Sequence, residues 1–119
     1  MRIRTFTTAV SLSALGLACA TATVPHEQLA ASQGAIRAAE ETGADKVPAA
    51  ALHLQMAKET SDKAQKCIQL DENHRAQLLL ERAEADAELA LNLAREAPLR
   101  AEAQKALDQL QQLKKKAAL

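Results

Sequence analysis

Aromatic side chains are almost missing from this sequence, which has one Phe, no Tyr and no Trp among 119 residues. Alanine is the most abundant residue, so little apolar surface is available for burial at about 25 cal/mol per Å². A short chain with such a thin core is marginally stable alone, and we expect self-association or a partner to stabilise it. Because the sequence has no basic stripe and almost no aromatic side chains to stack on bases, we expect no nucleic-acid binding.

Glycine and proline are also scarce, with three of each, which is too few for an all-β protein rich in turns. Ala, Leu, Glu, Lys, Gln and Arg dominate, as in long helices and coiled coils. The sequence contains neither a glycine-rich phosphate loop nor a serine nucleophile elbow. We therefore predict an all-α fold, a small antiparallel helical hairpin or three-helix bundle with coiled-coil-like seams. We expect no enzymatic activity, no cofactor and no small-molecule substrate.

The N-terminus has the organisation of a secretory signal peptide. Arg2 and Arg4 form a positive region, and residues 6–17 form an uncharged, mostly apolar stretch. This stretch is shorter than the roughly 20 apolar residues that span a bilayer. We predict a signal peptide over residues 1–18, followed by a tether over residues 19–25.

Residues 15–19, Leu-Gly-Leu-Ala-Cys, resemble the lipobox of bacterial lipoproteins, in which the cysteine is lipidated and becomes the new N-terminus. This resemblance predicts lipidation of Cys19 and a membrane contact through the N-terminal lipid. Because Ala20 and not aspartate follows, it implies the outer membrane, facing the periplasm. Ordinary cleavage after Ala20 or Ala22 is the alternative and would release a soluble periplasmic protein.

Helix boundaries are marked by a few residues in the remaining domain, residues 26–119. Gly43 suits the position after a helix end, and Pro48 suits a first helical turn. Asp71 or Asn73 is expected to cap the next helix through its side chain. Pro98 removes a helical hydrogen bond, so we expect a kink or break near it. Helices are predicted at about residues 26–42, 48–70, 72–97 and 98–116.

Small apolar residues recur at alternating steps of three and four along the second and third predicted helices, which is the spacing of a coiled-coil seam. The predicted helix-packing seam comprises Leu54, Ala57, Ser61, Ala64, Ile68, Leu80, Ala83, Ala87, Ala90 and Ala94. After Pro98 a second stripe starts five residues beyond Ala94, so it faces a new direction. We expect another copy or another envelope protein to cover that stripe, which comprises Leu99, Ala103, Ala106, Leu110, Leu113 and Ala117.

Few residues are candidates for metal binding or catalysis. Cys67, Asp71 and His74 have metal-ligand spacing on an unbroken helix, but the helix is expected to end between them, so no metal site is predicted. Cys67 is interpreted as a small half-buried apolar residue, and His53 as a surface residue. Three lysines, residues 114–116, complement the dipole at a helix end, with contact to an anionic lipid or polymer as the alternative. Four carboxylates are interpreted as a solvated face: Glu81, Glu84, Asp86 and Glu88.

Two segments, residues 47–59 and 81–91, resemble a family of bacterial envelope proteins with an alanine-rich helical domain, the domain of unknown function 4398. Such domains often follow a lipoprotein signal and sometimes precede an OmpA-like domain. We expect a stand-alone form without an OmpA-like domain. The resemblance implies no catalytic residues. It suggests a cell-envelope lipoprotein that acts as a structural, adaptor or protein-binding module, or alternatively a soluble periplasmic binding or chaperone-like protein.

Overall fold

A computed structural model of the chain describes residues 22–118. Within this range the polypeptide forms three α-helices and one short 3₁₀ turn, and it contains no β-strand. The predicted signal peptide and Cys19 lie outside the described residues. The helices are α1 (His26–Glu41), α2 (Pro48–Gln69) and α3 (Asn73–Ala117), and the 3₁₀ turn is Ala44–Lys46.

The connection between α1 and α2 follows from two residues with special backbone preferences. Gly43 follows the end of α1 with φ +81°, and its N–H donates to the carbonyl of Glu40 at 2.9 Å. Glycine adopts this left-handed conformation without a Cβ penalty. Val47 is extended, as expected before proline, and Pro48 occupies the first turn of α2, where its missing N–H has no helical partner to lose.

The turn between α2 and α3 differs from the sequence prediction. Asp71 does not cap α3; it adopts φ +58°, and its N–H donates to the carbonyl of Ile68 at 3.1 Å. The N–H of Glu72 donates to the carbonyl of Cys67 at 2.9 Å, which completes a Schellman motif at the end of α2. Asn73 does not cap α3 either: it is the first residue of the helix, and its side-chain Oδ1 accepts no hydrogen bond, while its side-chain amide nitrogen donates to the carbonyl of Ala22 at 2.8 Å.

The predicted division of the chain near Pro98 is wrong, because Pro98 lies inside a single helix, α3, which is 45 residues long. A proline inside a helix costs one N–H hydrogen bond and crowds the preceding turn. Helix-favouring residues flank Pro98 on both sides, so the helix is maintained across it. At about 1.5 Å per residue, α3 is about 67 Å long.

α1, α2 and the first half of α3, residues 73–97, pack together as a three-helix unit, called the body from here on. α2 runs antiparallel to α3 along most of its own length, while α1 packs mainly on α3. The hydrogen bond from Asn73 to Ala22 places the start of α1 beside the start of α3. The far end of the body is closed by a cluster that joins all three helices: Ala39, Ala44, Ala50, Leu54, Ala90 and Ala94.

Alanine methyl groups supply most of the core. Ten of the thirteen buried hydrophobic residues are alanines, and Leu80 is the largest side chain that is fully buried. Ser32 is also fully buried, and its hydroxyl donates to the carbonyl of Leu29 one turn earlier at 3.1 Å. With so many small side chains between them, the helices approach each other closely and leave little free volume.

Candidate functional site

The sequence-predicted seam lies inside the body. Ile68 is partly exposed, and the other nine predicted seam residues are buried, on the facing sides of α2 and α3. Leu54, for example, packs in one cluster with Ala90 and Ala94 of α3. The seam is therefore occupied within one chain, and its surface is not available to a partner.

A polar pair that the sequence reasoning missed links α2 to α3 at the flank of this seam. The Nδ1 atom of His53 lies 3.2 Å from Oδ1 of Asp86, a distance at which the ring N–H donates to the carboxylate. The Asp86 side chain is only 15% exposed, so it does not belong to a fully solvated face as expected. Each residue directly precedes a seam residue, in the heptad position that flanks a coiled-coil seam, and this spacing could have revealed the pair.

The His53–Asp86 pair is expected to contribute modestly to stability. A double-mutant cycle with His53→Gln and Asp86→Asn should give a coupling free energy of about 0.5–1 kcal/mol, since the pair is half-buried and not fully desolvated. The measurement is urea unfolding followed by far-UV circular dichroism. A cycle with Gln77→Ala and Glu81→Ala, an exposed pair within α3 at 3.0 Å, serves as the control. A His53–Asp86 coupling no larger than that control would contradict the assigned contact.

The residues considered for metal binding are not brought together. Cys67 is a free thiol with 7% exposure, while Asp71 and His74 lie at the surface. Among residues 22–118, no group of three His, Cys, Asp or Glu side chains is arranged to hold a metal ion. Cys67 instead packs as a small apolar residue at the end of α2.

A depression lies beside the start of α3. Its volume is about 490 Å³, and it is open to solvent. The Oδ1 atom of Asn73 is buried there without a hydrogen-bond partner. Substrate sites are usually enclosed pockets with convergent polar groups, so the geometry of this open depression does not indicate a substrate-binding site. Its lining residues are Ala22, Asp71, Glu72, Asn73, His74 and Arg75.

The most distinctive surface is the second half of α3. Residues 98–118, called the arm from here on, are all exposed. The last buried residue of α3 is Ala94, and the five-residue step from Ala94 to Leu99 rotates the stripe by about 140° at 3.6 residues per turn. The arm leaves four leucines between 53% and 64% exposed: Leu99, Leu107, Leu110 and Leu113.

Polar contacts of the arm lie within its own helix. Arg100 Nη2 lies 2.6 Å from Glu96 Oε2, and the amide of Gln104 donates to Asp108 at 2.9 Å, both one turn apart. Three lysines, residues 114–116, occupy the last turn of α3, where cations complement the helix dipole. The arm is thus a helix stabilised locally, with an apolar stripe that nothing in the body covers.

No helix among residues 22–118 combines the length and hydropathy needed to cross a membrane.

Comparison with known proteins gives one family and no individual relative. Neither a curated protein nor a solved structure matches the chain significantly. The family profile described as a domain of unknown function, DUF4398, matches residues 27–106. The matched range covers α1, α2 and the first part of α3, including the start of the arm. The chain therefore belongs to the DUF4398 family.

Proposed function

We propose that this protein is a cell-envelope lipoprotein that acts as a structural or adaptor module, binding other helices through the arm and catalysing no reaction. The lipid would be carried by Cys19, within the lipobox-like sequence at residues 15–19. By the same sequence argument the lipid would lie in the outer membrane and the domain in the periplasm. The two ends of the molecule would then have different roles, anchoring near the start of α3 and binding at the arm.

The observation that carries the proposal is the separation of the tether from the arm. The hydrogen bond between Asn73 and Ala22 holds the tether at the start of α3. Cys19 precedes Ala22 by three residues, which reach at most about 11 Å when extended. The arm occupies the opposite end of the same helix: at 1.5 Å per residue it begins about 38 Å from Asn73 and ends about 66 Å from it. An anchor near one end of a rod and an uncovered apolar stripe at the other suit a protein that presents a binding helix at a distance from its anchor.

Burial in the body supports the assignment of binding to the arm and not to the α2–α3 seam. Alanines in the α2–α3 seam are already covered, whereas the leucines of the arm each expose more than half of their surface. A stripe of exposed leucines with helical spacing is the surface that helix-on-helix recognition uses. The body then serves as the rigid support that holds the arm.

Replacing Cys19 by serine is expected to abolish acylation and move the protein from the membrane fraction to the soluble fraction. The cause is chemical, because the lipid is attached through the cysteine sulfur and serine has none. Intact-mass measurement of the mature protein, with fractionation of the cell envelope, detects both changes. Cys67→Ser is the matched control, since it removes the other cysteine of the sequence and should leave acylation unchanged.

A mature N-terminus at Thr21 or Thr23, without acyl groups, would overturn the lipoprotein proposal. That result would favour the soluble periplasmic binding protein, whose domain would use the same arm without a membrane anchor.

A further inference from the structure

We propose that the partner covered by the arm is the arm of a second copy of this chain, paired antiparallel with Leu99 of one copy opposite Ala117 of the other. The second copy is thus the partner that the arm binds in the proposed function, and the role of the arm as a binding surface rests on that proposal. The pairing itself depends only on the sequence and exposure of residues 99–117.

The stripe along the arm combines three leucines and three alanines in a self-complementary order, Leu-Ala-Ala-Leu-Leu-Ala. Its six positions fall within one narrow face of the helix, at steps of four and three residues, which is the seam spacing of a coiled coil. In the antiparallel register every layer sets one leucine against one alanine. The layers, each occurring twice, are Leu99 with Ala117, Ala103 with Leu113, and Ala106 with Leu110.

A parallel, in-register pair would lack this complementarity. It would place leucine on leucine in three layers and alanine on alanine in the other three, so the helix separation would have to widen and narrow along the seam. It would also gather the lysines 114–116 of both copies at one end. The body already packs leucine against alanine in an antiparallel hairpin, where Leu54 of α2 lies with Ala90 and Ala94 of α3.

The flanks of the stripe agree with the same register. On one flank Glu102 of each copy faces Lys116 of the other, in the positions that carry interhelical ion pairs. On the other flank the exposed Leu107 side chains of the two copies meet at the middle of the seam. Arg100 faces Lys114 there, but Arg100 is already paired with Glu96 at 2.6 Å, so Lys114 approaches an ion pair and not a lone cation.

The bodies do not obstruct the pairing. The paired span begins at Leu99, five residues beyond Ala94, the last residue of α3 buried in the body. Each body therefore lies outside the shared seam, one at each end. Each arm is exposed over the whole span that the register uses.

Sedimentation equilibrium of the mature protein, in mild detergent if it is acylated, tests the pairing with interference optics because the chain has no Trp or Tyr. The wild type should form dimers. Leu110→Ala should raise the dissociation constant by at least about tenfold, since it empties both central layers. Ala106→Leu should also weaken the dimer by crowding both layers. The double variant A106L/L110A restores leucine opposite alanine and should recover dimerisation to near the wild-type constant.

Leu78→Ala is the matched control, because Leu78 is an exposed leucine of α3 outside the arm. It should leave the dissociation constant unchanged. A wild-type protein that stays monomeric over a wide concentration range, or a double variant weaker than both single variants, would overturn the proposal.

Disulfide trapping checks the direction of the two helices. In a Cys67→Ser background, mixing Leu99→Cys with Ala117→Cys should give a mixed disulfide dimer in preference to either symmetric product. Predominantly symmetric products would indicate parallel helices and overturn the register. The acyl mass on Cys19 reports separately on the lipoprotein proposal, so loss of dimerisation and loss of lipidation are distinguishable outcomes.

Discussion

Replacing Leu80 by alanine is expected to lower the free energy of unfolding by about 2–5 kcal/mol. Leu80 is the largest side chain with no exposed surface, and most of the other buried hydrophobic residues are alanines. The methyl groups of these alanines cannot rotate into the space that the Leu80 side chain would leave, so the cavity would persist. Because small domains have only about 5–15 kcal/mol of stability in total, this loss is a large fraction of it.

Urea unfolding followed by far-UV circular dichroism measures the Leu80→Ala effect. Leu78→Ala is again the matched control, since Leu78 lies two residues away on the same helix and is 55% exposed. The control should stay within about 0.5 kcal/mol of the wild type. A Leu80→Ala loss below about 1 kcal/mol would mean that the helices close over the cavity, in contradiction to the packing described for the body.

The fold class and most helix ends followed from local features of the sequence. Alternating steps of three and four residues fixed one face of each long helix, and burial of Leu54 and Ala87 follows from that periodicity. Gly43 marked the end of α1 because glycine adopts the left-handed backbone there without strain, and Pro48 marked the start of α2 because proline fits the first helical turn. Such features depend on a few neighbouring residues, so no tertiary information was needed to recognise them.

Other features depended on contacts between distant segments or on the length of a helix, and could not be predicted in the same way. Asn73 has the side chain of a helix cap, but it lies inside α3 as its first residue, and its side-chain amide donates to the carbonyl of Ala22, 51 positions away in the sequence. Pro98 signals a break in isolation, yet the helix continues because only one hydrogen bond is lost in a long helix. The exposure of the arm likewise depends on where α1 and α2 end relative to α3.

Replacing Ala87 by leucine is expected to destabilise the body by about 1–3 kcal/mol or more, because it inserts an isopropyl group into a fully occupied seam. Ala87 has no exposed surface and lies on the face of α3 that packs against α2. A leucine there would force the two helices apart along the seam, and neighbouring alanines would lose contacts that they cannot regain by changing rotamer. In an alanine seam, adding apolar volume therefore costs stability, although leucine is the more hydrophobic residue.

Thermal and urea unfolding of Ala87→Leu and of Ala85→Leu separate overpacking from the change in hydrophobicity. Ala85 is exposed on the same helix, two residues away, so leucine at that position should change the free energy of unfolding by less than about 0.5 kcal/mol. Equal effects of the two substitutions would contradict a tightly filled seam. Because the arm lies outside the body, Ala87→Leu should also leave the dissociation constant of the dimer unchanged under conditions where the variant is folded. If Ala87→Leu also weakened dimerisation, the seam, and not only the arm, would take part in self-association.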